Sequence, residues 1–197
     1  MALHFLDYDP DDIDVRVAEL LTATSDSADP LLHPKVSEAL QILRQHLNMD
    51  VAFVSQFSGG KRTFRVVESD PNVTLVVAGQ SDPLEKAWCQ YVVDGRLPGF
   101  IEDGREVSKA GQAPEVAFDI GTHLSTPVVL NNGEVYGTLC CFSQQVQKDV
   151  TPLDLRRLQI AAKVLADDLQ RAGMGRSLEL QPVEPSDASK GKPWRFS

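Results

Sequence analysis

The sequence predicts an α+β fold, and three observations carry that prediction. Two β-rich runs at 122–130 and 134–142 flank Asn131, Asn132 and Gly133, residues that tolerate positive φ, so this stretch is a hairpin. A second pair of runs, 51–57 and 62–68, is joined by Ser58, Gly59 and Gly60. Segments of helical period at 33–48 and 151–171 lie outside these strands.

The elements follow in order. Ile13, Val17, Leu20 and Leu21 share one side of a short amphipathic helix, and a Ser/Thr/Asp/Ala linker runs from Thr22 to Pro30. Pro34 occupies the tolerated first turn of the next helix, which sets Val36, Ala39, Leu40, Leu43 and Leu47 on one face and ends near Asn48. The strand at 51–57 turns Val51, Phe53, Ser55 and Phe57 to one side. After the turn at Asp70, Pro71 and Asn72, a third short strand is expected at 73–77, then a helix at 83–93 and a strand near 100–102. Residues 104–120 read as loop, with one helical turn near 114–118. Thr151, Pro152 and Asp154 form a helix start with a capping-box acid, and that helix stops before Gly173.

The bulk properties narrow the function. The chain has 197 residues, 42% of them hydrophobic, enough for one sizeable core. A net charge of −9 disfavours a nucleic-acid backbone or an anionic membrane surface as partner. No apolar run reaches the roughly 18 residues of a membrane span, and no signal-peptide pattern opens the chain. Three cysteines, two of them adjacent, do not make a disulfide framework and suit a reducing cytoplasm. Asp7, Asp9 and Asp11 imitate the start of a calcium loop. Asp12 then stands where glycine is required and Ala18 where glutamate is required, so no metal site is expected there.

Four stretches carry a family resemblance: MDVAFVSQF from Met49, WCQYVVDGRLPGFIEDG from Trp88, HLSTPVVLNNGEVYGTLCCFS from His123 and VTPLDLRRLQIAA from Val150. Together with the element order, they resemble the GAF sensor modules of bacterial signalling proteins over residues 30–172. The resemblance implies a central antiparallel sheet of about six strands. The terminal helices would cover one face, and a ligand pocket would lie on the other. It divides the chain into an N-terminal helix and linker at 1–29, the GAF domain at 30–172 and a polar, disordered tail at 173–197, too short for an output domain.

GAF-type free methionine sulfoxide reductases and bilin-binding GAF domains both use a cysteine in the loop that corresponds to 104–120, and this chain has none there. The asparagine-lysine and phenylalanine-aspartate-glutamate pattern of cyclic-nucleotide GAF domains finds no match beyond Phe118 and Asp119. A haem would need His123 as axial ligand, and His123 reads more simply as a strand residue hydrogen-bonded in the sheet. Trp88 is either a ligand wall or a core anchor. Cys140 and Cys141 must point to opposite faces of their strand.

The expectation is therefore a non-enzymatic sensor with no catalytic residue and no metal site, binding an unidentified small molecule between the sheet and residues 83–103. Phe53, Trp88, Cys89, Ile101, Asp103, His123, Ser125 and Cys140 are the candidate lining residues, with Asp103 or His123 orienting a polar group. The cofactor is left unassigned. A thiol-dependent redox protein, or a reductase of the methionine sulfoxide type, built on Cys89 is the alternative. Leu155, Leu158, Ala162, Leu165 and Leu169 follow a 3-4-3-4 spacing, which reads as a core face, a homodimer seam or both; a homodimer through 152–171 is expected, with Arg156, Arg157, Asp167 and Asp168 solvated beside the stripe. A signalling protein would be a further partner.

Overall fold

A computed structural model describes residues 10–24 and 28–174. The acidic start, the middle of the first linker and the tail with Trp194 and Phe196 lie outside the described residues. The elements run α1 (Pro10–Thr22), α2 (Pro34–His46), β1 (Val51–Ser58), β2 (Lys61–Ser69), β3 (Ser81–Pro83), α3 (Trp88–Val93), β4 (Phe100–Ile101), α4 (Gly104–Lys109), β5 (His123–Val129), β6 (Val135–Phe142) and α5 (Pro152–Arg171). The strands form one sheet in the order β3-β2-β1-β6-β5-β4, with every neighbouring pair antiparallel.

The period of two along β1 and β6 divides the interior into two cores. Ala52, Val54, Leu139 and Cys141 point to the helical side and pack with Val17, Leu20, Leu40, Leu43, Leu158 and Leu165 from α1, α2 and α5. Val51, Phe53, Cys140 and Phe142 point to the other side and pack with Phe64, Trp88, Cys89, Leu97, Ile101 and Ile120. The helical side is covered by long regular elements. The other side is covered by short helices and loop, which is where a cavity can form.

Local chemistry explains the boundaries. Gly59 and Gly60, at φ 57° and 73°, let β1 turn directly into β2. The ring Nδ1 of His33 accepts from the Lys35 amide and caps α2. Asn48, at φ 50°, ends the same helix region by entering the left-handed conformation. The Thr151 amide donates to the Asp154 carboxylate at 2.8 Å, closing the expected capping box of α5.

Four expectations need correction. Residues 73–77 form no strand; Val73, Leu75 and Val76 pack into the second core from a loop, so their apolar character reflects burial without a ladder. The third strand comes later, at Ser81–Pro83. The helix expected over 83–93 is broken at Ala87, whose extended backbone separates a 3-10 turn at Leu84–Lys86 from α3. The segment after Asp103 carries the helix α4, capped by the Asp103 carboxylate on the Arg105 amide, and no turn of helix occurs at 114–118.

The largest correction concerns α5. Leu158, Ala162, Leu165 and Leu169 are buried within this chain, and Leu155 packs against the same core. The 3-4-3-4 stripe covers the sheet and α1, so it is not available as a dimer seam. Its neighbours are not all solvated either: Asp168 is fully buried, and Arg157 pairs with Asp14 and Asp154. A stripe that wide on a long helix is what one covered face requires.

Candidate functional site

The second core encloses a small cavity of about 30 Å³. Phe53 from β1, Arg62 and Phe64 from β2, Cys140 and Phe142 from β6 and His123 from β5 form its floor and sides. Trp88 and Cys89, at the start of α3, close one wall, and Val116, Phe118 and Ile120 from the loop before β5 close another. The aromatic rings hold one another in place. Phe53 meets Phe64 edge-on at 4.9 Å, Phe118 stacks on Phe142 at 5.4 Å, and Trp88 meets His123 at 5.6 Å. Trp88 also donates its indole N–H to the Pro114 carbonyl at 3.0 Å, tying α3 to the covering loop.

Four polar side chains converge inside this apolar shell. The Sγ atoms of Cys89 and Cys140 and a ring nitrogen of His123 all lie within 4.8 Å of one another, and all three residues are buried. Nε2 of His123 sits 3.3 Å from Cys140 Sγ. Arg62 donates from Nη1 to Cys89 Sγ at 3.5 Å, lies over the Phe64 ring at 4.5 Å and is anchored from behind by Asp82, with Nε to Oδ1 at 3.0 Å. Two polar atoms near this face, His123 Nδ1 and Ser125 Oγ, are buried without a hydrogen-bond partner among the described residues.

The two thiols differ sharply in acidity. A hydrogen bond from Cys140 is the main effect holding the Cys89 thiol well below its ordinary value; His123 and the Arg62 charge assist, and burial opposes. Burial, then the neighbouring Cys89, push Cys140 well above its ordinary value. Of the two facing thiols, Cys89 is therefore the more acidic. On the opposite face of β6, burial pushes Cys141 up to about 12, and no thiolate forms there near neutrality.

Residues 32–169 match the sequence profile of the GAF domain. The chain belongs to the GAF domain family. Its solved structural relatives share the fold at low identity. The GAF domain of an Acinetobacter phosphoenolpyruvate-protein phosphotransferase superposes with a TM-score of 0.63 at 15% identity, over 85% of this chain and 96% of that one. The free methionine-R-sulfoxide reductase of Neisseria meningitidis, solved with its substrate, gives 0.65 at 13% identity, over 89% and 99%. The phycoerythrobilin-bound GAF domain of a cyanobacterial phytochrome gives 0.61 at 11% identity, over 86% and 98%. No curated protein matches this GAF domain in sequence.

Of the eight lining residues expected from the sequence, Phe53, Trp88, Cys89, His123 and Cys140 border the cavity together. Ile101 packs in the same core behind them. Ser125, paired with Cys140 across β5 and β6, is buried. Asp103 is engaged elsewhere, as the cap of α4 and the partner of Arg105. The sequence reading missed Arg62, Phe64, Val116, Phe118, Ile120 and Phe142. Two of these had a signal. Arg62 is two residues from Phe64 and Phe142 two residues from Cys140, so strand alternation already put each pair on one face. Nothing local marks Phe118 or Ile120, which reach the site only because their loop folds over it.

Proposed function

We propose that this GAF domain is a non-enzymatic sensor that takes a small molecule into the cavity between its sheet and the segment carrying α3. The observation that supports this reading is the cavity wall itself: one cation, two thiols and one imidazole face inward among seven aromatic or aliphatic neighbours. Such a setting fixes a small polar ligand by a few directed contacts and excludes water around it. A cavity of about 30 Å³ suits a molecule of very few atoms, and a larger ligand requires the loop before β5 to swing out. Thermal unfolding against a panel of small anions and metabolites tests the reading. A ligand at 100 times its Kd raises stability by about 2.7 kcal/mol, and Arg62→Met abolishes that shift. Failure of every compound to shift the transition, with nothing retained in native mass spectra, removes it.

The sensor is further proposed to signal as a cytoplasmic homodimer. The support is the outer face of the α1 and α5 pair, where Val15, Leu153 and Ile160 are each more than half exposed. A second copy of the same face would cover them.

A thiol-redox function is the second reading, favoured by the proximity of the Cys89 and Cys140 sulfurs. Peroxide would convert the Cys89 thiolate to a sulfenic acid. Attack by the Cys140 sulfur would then form the disulfide, with water as the leaving product. Mass spectrometry of peroxide-treated protein finding that bond supports this reading, and three thiols that stay reduced exclude it.

A further inference from the structure

We propose that Cys89, His123 and Cys140 form a site for a single divalent zinc-type cation, with its fourth coordination position open to the cavity. This goes beyond the sensor reading and rests on the three donors rather than on the cavity volume. A domain that bound no metal would leave the sensor reading standing.

The donors come from three separate elements, α3, β5 and β6, and the tertiary fold brings them together. Their ligand atoms all lie within 4.8 Å of one another. A zinc tetrahedron with bonds of about 2.3 Å to sulfur and about 2.0 Å to nitrogen has edges of about 3.5–3.8 Å. The His123 Nε2 to Cys140 Sγ distance of 3.3 Å is already near that edge. Small side-chain rotations would therefore suffice to close the site, with no movement of the sheet. Orientation is also supplied: the Trp88 ring meets the imidazole edge-on and limits its rotation, and Arg62 holds the Cys89 sulfur.

The charges balance. Binding requires both sulfurs as thiolates and the imidazole neutral, so any proton the two thiols hold leaves to solvent as the metal enters. Two thiolates and one divalent cation sum to zero. Arg62 then keeps Asp82 as its counter-ion and continues to donate toward Cys89 from outside the coordination shell. Two soft thiolates and one imidazole select zinc over magnesium or calcium, which require oxygen ligands. Three protein donors leave the position that a water or a small Lewis base from the cavity would take. Cys141, one residue away, points into the helical core and takes no part.

The test uses the full chain, reduced and freed of metal by chelation, and titrated with cobalt and then zinc. One equivalent of cobalt is expected to give a sulfur-to-metal charge-transfer band, which zinc then displaces. Cys89→Ser and His123→Gln lower the affinity by more than roughly a hundredfold, since loss of a mere hydrogen bond to a ligand already costs roughly 10–100-fold. Cys141→Ala keeps the affinity of the unaltered chain. X-ray absorption on the zinc-loaded unaltered protein needs no variant, and two sulfur neighbours with the remainder nitrogen or oxygen are expected. The absence of a charge-transfer band, a zinc shell without sulfur, or affinity that survives Cys89→Ser each overturns the proposal.

Discussion

The guanidinium of Arg62 reaches across the second core to the sulfur of Cys89, 27 residues away in sequence, at 3.5 Å. It is a buried cation held between the Cys89 sulfur and the Asp82 carboxylate. Replacing it with methionine keeps most of the side-chain volume and removes the charge. The Cys89 thiol pKa is expected to rise in Arg62→Met, because one of the three groups favouring the thiolate is lost. The pH dependence of thiolate absorbance in the ultraviolet measures this. A titration unchanged by the substitution would mean that Cys140 and His123 suffice.

The two sides of α5 should respond oppositely to substitution. Leu158 is fully buried, so Leu158→Ala is expected to lower stability by about 2–5 kcal/mol in denaturant titrations. Ile160 is 52% exposed, so Ile160→Glu should change stability by less than about 0.5 kcal/mol. If the proposed homodimer uses this outer face, the same substitution yields a folded monomer by light scattering. A domain already monomeric at high concentration would rule out the dimer.

Gly104 has no room for a side chain. A Cβ there would lie 2.7 Å from the Ile120 carbonyl oxygen and 2.9 Å from the Trp88 ring. Gly104→Ala must push the covering loop or the indole outward, with an expected loss of about 1–3 kcal/mol. Near-ultraviolet circular dichroism should report the displaced indole. An unaltered spectrum and stability would show that the loop yields freely.

Asp168 predicts a pH dependence. Burial raises its carboxyl pKa, with Arg171 and Thr24 opposing. A carboxyl with a raised folded pKa binds its proton more tightly in the folded state. Its stabilising contribution is complete below the unfolded value of about 3.9 and is lost as pH rises through the folded value. The stability of the unaltered chain relative to Asp168→Asn should therefore fall as pH rises across that window. Urea titrations at a series of pH values measure the slope, and a flat difference would refute the raised value.

The residues local to each element already specified much of the fold. The faces of α1 and α2, the Gly59 and Gly60 turn, the β5–β6 hairpin and the capping box of α5 depend on neighbours three or four positions apart, and each formed as its pattern required. Even the opposite destinations of Cys140 and Cys141 follow from strand alternation. The helix α4 had its signal too, in the spacing of Asp103 and Glu106.

Other features depended on packing at long range. An apolar run such as 73–77 looks the same whether it pairs in a ladder or packs from a loop. The stripe on α5 has one spacing whether its partner is a second copy or this chain's own sheet. Arg62, Cys89, His123 and Cys140 come from four elements, and their convergence is decided by the order β3-β2-β1-β6-β5-β4 and by the loop that closes over Phe142. Sequence periodicity sets the face on which a side chain lies; only the packing of the whole sheet sets what lies opposite it.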